Sequence, residues 1–186
     1  MPLHVLGLYL LLGVCATISL CVSRAAWEMR HKAGTVATAF AIGSLCLSIW
    51  TYFYLGELMS TSVQGKYLCF VLKNLGCFYT VPFFLLYALH FNNPTLKLAK
   101  WIPVALLLEP TFMAVALLTN HWHHTLLTNL SIYHYHSFNM FQFHSGRLLD
   151  WDIQYSLACS LSLIFIIGVK AWRAPKIYRR QSYTVF

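Results

Sequence analysis

The chain has 186 residues, of which 59% are hydrophobic and 10% charged, and its mean hydropathy is +0.61. Such a composition lies outside globular usage and describes a membrane protein, whose apolar spans leave no room for a soluble catalytic core. The formal charge of +8 does not point to nucleic acid, because the basic residues fall at the ends of the spans instead of gathering in one patch.

A helix needs about 20 apolar residues to cross a core ~30 Å thick. Five stretches meet that length, at about 3–22, 34–56, 67–90, 101–119 and 152–172. The first, in "MPLHVLGLYLLL", has no basic residue ahead of its apolar core, and Arg24 follows it. That is the charge order of a retained anchor and not of a cleaved signal peptide. Arg24, Arg30 and Lys32 lie in the first connection, Lys97 and Lys100 in the third, and Lys170, Arg173, Lys176, Arg179 and Arg180 after the fifth span. These ten of the thirteen basic residues place the N-terminus outside and the C-terminus in the cytoplasm. The expectation is one all-α multi-pass membrane domain over 1–186, with an outer loop at 120–151 and a cytoplasmic tail at 173–186. All six cysteines fall within the spans, where they serve as small packing side chains and not as a disulfide framework.

Within the spans, Pro82 and Pro110 each remove a backbone hydrogen bond and are expected to bend their helices. "HFNNPTLK" at 90–97 reads as a tight cytoplasmic turn. Lys73 and Glu109 are ionisable groups at membrane depth, which normally face a bundle interior and pair. Their α-carbons should differ in depth by roughly 9 Å on a helical rise of ~1.5 Å per residue. A Lys73–Glu109 pair is therefore expected, set against a snorkelling Lys73 with a protonated Glu109.

The loop "LLTNHWHHTLLTNLSIYHYHSFNMFQFH" at 117–144 carries six of the nine histidines. His121 with His123, or His134 with His136, could chelate a metal ion from one face of an extended segment. Proton sensing is a second reading. The reading preferred here is a lid, because Trp122, Tyr133, Tyr135, Phe138, Phe141 and Phe143 are too apolar for a loop that floats in water. Asn129-Leu130-Ser131 is a glycosylation sequon that carries meaning only in a eukaryotic secretory pathway.

Several of these strings carry a family resemblance in their order. "ELMSTSVQGKYLCFVLKNLGCFYTVPFFLLYALHF", then "EPTFMAVALLTNHWHH" and "APKIYRRQ", resemble the N-terminal seven-helix membrane region of prokaryotic histidine kinases and related signalling proteins. The matching features are Glu57 at the end of the second span, Val81-Pro82 in the third, Glu109-Pro110 in the fourth, Asn120 with the histidines through His124 at its outer end, and the basic "YRRQ". The resemblance implies a sensory input module in a prokaryotic plasma membrane. Its partners would be the bilayer, a small-molecule ligand from the outer side, a cytoplasmic signalling output domain or protein, and a second copy in a homodimer. Lys73, Glu109, Glu57, Pro82, Pro110, Asn120 and His124 are the ligand or switch candidates. Two spans fewer than the family and the absence of an ATP-binding box suggest a fragment or a five-helix relative, with no enzymatic motif and no cofactor. A small transporter or metal permease, and a non-catalytic membrane scaffold, are the alternatives.

Overall fold

The structure, a computed structural model, describes residues 3–92, 99, 101–135 and 138–173. Among these the order is α1 (Leu3–Glu28), α2 (Arg30–Met59), α3 (Val63–Asn92), α4 (Trp101–Leu118), α5 (Asn120–His123), β1 (Leu127–Tyr135), β2 (Phe138–Ser145) and α6 (Arg147–Arg173). The five longer helices, α1 to α4 and α6, are each long and apolar enough to cross a membrane, so the molecule is an all-α membrane bundle carrying one β-hairpin.

Helices run past the apolar stretches wherever charged residues are themselves good helix formers. α1 continues through Arg24 and Glu28, which pair one turn apart at 3.3 Å. α6 begins at Arg147, five residues before the expected 152, and takes Asp150 into its first turn, where the helix dipole favours an acid. The chain breaks at Met29, between α1 and α2, and again within α2 at Gly34, whose φ of 61° and ψ of −136° suit a residue without Cβ. The turn expected at 90–97 lies mostly outside the described residues, as does the tail from 174.

α3 is the shared neighbour. It packs most extensively on α2 and also against α4 and α6, while α1 leans on α2. In a bilayer, lipid tails are as apolar as leucine, so helices associate through close approach and hydrogen bonds. Both devices are present. A Cβ on Gly76 of α3 would stand 2.6 Å from the Cys46 carbonyl oxygen and 2.8 Å from the Trp50 nitrogen, so α2 and α3 touch backbone to backbone there. Ser23 Oγ donates to the Ala41 carbonyl at 2.7 Å and Ser48 Oγ to the Ala16 carbonyl at 2.9 Å, stitching α1 to α2.

The segment between α4 and α6 is folded. β1 and β2 are antiparallel, with Ile132 opposite Phe141 and Tyr133 opposite Met140. The register shifts between Thr128 and Ser131, where Asn129 takes a left-handed φ of 53° that asparagine tolerates. Phe141 and Phe143, two apart and so on one face of β2, both reach Phe70 of α3, with ring centroids 5.5 and 4.9 Å away. The base closes at Gly146, whose N–H donates to the Leu126 carbonyl at 2.8 Å and whose missing Cβ would collide with the Thr125 carbonyl. The hairpin thus lies over one end of α3, and the buried apolar cluster of Phe70, Met113, Leu117, Leu126 and Leu127 sits beneath it.

Candidate functional site

Charge inside the bundle concentrates directly under the hairpin. Lys73 pairs with Glu57 and not with the expected Glu109: its Nζ stands 2.5 Å from Glu57 Oε2, and the two side chains are 15% and 10% exposed. The contact is an ion pair without directed hydrogen-bond geometry at that oxygen. The reason for the correction is azimuth. Depth along the membrane normal does not say which neighbour a residue faces, and Lys73 lies on the α2 side of α3, with Tyr54 of α2 5.2 Å from its ammonium. Lys66, in the first turns of α3, is fully buried, and its Nζ donates to the Glu57 carbonyl oxygen at 2.6 Å. That bond sets the level of Glu57 against α3. Lys73, seven residues further along α3, is about 10 Å from Lys66 along the helix axis, and its Nζ still meets Glu57 Oε2.

Phe70 joins this charge to the hairpin. One side of the ring receives Phe141 and Phe143, and the Lys73 ammonium sits 4.8 Å from its centroid. A cation held by one carboxylate and two aromatic rings is stabilised without water. A polar group entering below the hairpin would compete with Glu57 for Lys73, or with Lys73 for Glu57.

The polar residues of the loop hold its own backbone. Asn120 is 3% exposed; its Oδ1 accepts from the Leu126 and Leu127 amides at 3.0 and 3.2 Å, and its Nδ2 donates to the Leu127 carbonyl at 3.1 Å. His123 Nδ1 accepts from the Thr125 amide at 3.1 Å, so the proton is on Nε2, which donates to Thr119 Oγ1 at 3.1 Å. His124 closes α5 in the left-handed conformation, and the exposed His121 ring leans on Trp122 at 4.8 Å. Among the described residues no three His, Cys, Asp or Glu side chains gather as metal ligands. His134 stands in β1 opposite Asn139, but its side chain lies outside the described residues, as does His136 altogether.

Residues 11–186 match the family model described as the N-terminal 7TM region of histidine kinase. The chain belongs to that family. No curated protein and no solved structure matches it. Membership makes the chain a multi-pass membrane sensory input region of histidine-kinase signal transduction.

In this 7TM sensor region the Glu109-Pro110 pair has a structural consequence that the sequence did not reveal. Pro110 lacks the N–H that would bond the Leu106 carbonyl four residues earlier, and the hydroxyl of Tyr155 on α6 donates to that carbonyl at 2.6 Å. Next to it, Thr111 Oγ1 donates to the Leu107 carbonyl at 2.6 Å and accepts from Tyr79 of α3 at 3.1 Å. The proline therefore opens α4 to a bond from α6, and the Thr111 hydroxyl beside it carries a separate contact to α3. Glu109 lies apart from Lys73 and Glu57, and neither of its carboxyl oxygens has a hydrogen-bond partner among the described residues. Pro82 is buried within α3, which continues as helix through it. Tyr155, Lys66 and Phe70 are site residues that sequence reasoning missed. A tyrosine facing a helix proline gives no periodic signal, and a lysine beside "STSVQG" reads as loop.

Proposed function

We propose that the chain is the ligand-receiving part of a histidine-kinase-type receptor. A small molecule arriving from the outer side or through the bilayer acts on the Glu57–Lys73 pair, and the resulting shift of the helix bundle reaches a cytoplasmic output partner. The observation that carries the reading is the stack of hairpin, Phe70 and Lys73, which ties a surface element to a buried ion pair. An ion pair under a movable cover is a bistable element that a polar ligand biases by its differential affinity for the open and closed arrangements. The distribution of basic residues supports an outer hairpin and a cytoplasmic end after α6, in a prokaryotic plasma membrane.

The test joins the chain to a reporter histidine kinase and compares autophosphorylation of the native sequence with Glu57→Gln and Lys73→Met at matched membrane levels. Both substitutions should move basal output in the same direction. Unchanged output from folded variants would remove the proposal. Substrate flux into proteoliposomes that the same substitutions abolish would replace it with the transporter or metal-permease reading.

A further inference from the structure

Away from the Glu57–Lys73 site, two acids lie at one level where α4 touches α6. The Tyr155–Leu106 hydrogen bond sets their register. The two helices run antiparallel, so three residues beyond Leu106 and three before Tyr155 bring Glu109 and Asp152 to one level, each about 4.5 Å along its axis from the bond. Asp152 is 7% exposed, and its Oδ1, like both oxygens of Glu109, has no hydrogen-bond partner among the described residues. The titratable groups around them are Tyr155 and Cys159 on α6 and Cys77 on α3. None of these supplies a countercharge. The Tyr155 hydroxyl is committed to Leu106, and Lys73, the cation that acts on Cys77, is held by Glu57.

Two such carboxylates cannot both remain ionised side by side in a low-dielectric bundle, because neither desolvation nor mutual repulsion is compensated. We propose that Glu109 and Asp152 form a proton-binding site, a carboxyl–carboxylate pair that shares one proton across the α4–α6 contact. The protonated acid donates to an oxygen of the other, satisfying groups that otherwise have no partner. Release of the proton leaves two like charges at a contact that has the Tyr155 bond as its hydrogen-bonded tie, and it pushes α6 away from α4. The proton is then a ligand of this sensor region in its own right, whether or not the Glu57–Lys73 pair responds to another molecule.

Infrared difference spectroscopy of the whole chain in lipid nanodiscs, titrated with acid and base, reads the pair directly. The expected result is a protonated-carboxyl stretch at neutral pH that disappears on raising the pH. Glu109→Gln and Asp152→Asn should each shift the titration of the remaining acid, and the double substitution should abolish the band. The wild-type titration decides alone if a variant fails to fold. Absence of the band at neutral pH, or a single substitution that leaves the other acid's titration unmoved, would overturn the proposal. Loss of the band on adding sodium or calcium chloride at fixed pH would also overturn it, in favour of a metal-cation site.

Discussion

Tyr155→Phe removes one oxygen atom and leaves the ring in place, which isolates the hydrogen bond that α6 gives to the Leu106 carbonyl. That carbonyl has lost its own helical donor to Pro110, so the substitution leaves it unsatisfied. Orphaning a buried acceptor costs about 1–3 kcal/mol, and inter-helix hydrogen bonds in membranes reach a maximum near 1.7 kcal/mol in double-mutant cycles. The 2.6 Å separation and part-buried setting place this bond at the upper end, about 1.5 kcal/mol. For a chain of this size that corresponds to a loss of roughly 3–6 °C in detergent thermal unfolding. Pro110→Ala restores an N–H at the right position to bond Leu106. In that background Tyr155→Phe should cost about a third as much or less, giving a coupling near 1 kcal/mol. Additive losses in the four-member cycle would refute the reasoning, because they would mean that the tyrosine does not replace the bond that the proline removes.

Three further outcomes follow from the same geometry. Glu57→Gln or Lys73→Met alone should destabilise by about 3 kcal/mol and the pair together by clearly less, whereas Lys73→Met and Glu109→Gln should add independently; thermal unfolding of the six proteins checks both statements. Asn120→Ala deletes three hydrogen bonds to Leu126 and Leu127. It should loosen the hairpin locally by about 2–3 kcal/mol, seen as faster amide exchange in β1 with α1 and α2 unchanged. Gly146→Ala drives a Cβ into the Thr125 carbonyl, and it should cost about 1–3 kcal/mol and make the hairpin base accessible to protease; wild-type resistance would show that the base can shift freely.

Span number and order were legible because hydropathy over about 20 residues is a one-dimensional property. Span ends were less so, since Arg24, Glu28 and Asp150 extend helices beyond the apolar stretch. The hairpin could have been read from Phe141 and Phe143, whose spacing of two is a strand period, but the lid reading rested on the apolar content of the loop and not on that spacing. Lys73 was rightly singled out as a buried charge and assigned the wrong partner, because rise per residue yields depth while the choice between Glu57 and Glu109 depends on which helix lies alongside. Asn120 was found through the family resemblance, which includes the Thr119-Asn120 step at the end of the fourth span. Its work is to tie down Leu126 and Leu127, which are hydrophobic residues that no polar motif would have linked to it.

α3 also has a mechanical meaning. Phe70, under the hairpin, and Phe91, whose carbonyl and ring both engage the Lys170 ammonium of α6, belong to one helix and are about 32 Å apart along it. A beam of that length tilted by about 5° about its upper end swings its lower end by ~3 Å, which is enough to part an ammonium from a carbonyl. The beam is not uniformly stiff. Pro82 deprives the Phe78 carbonyl of its helical donor some 18 Å below Phe70, so bending is cheapest there and the segment beyond it moves as a short arm. Replacing Pro82 with alanine would make the whole helix swing as one rod, so that the throw at Lys170 depends on the full distance from the hairpin and no longer on the last three turns alone.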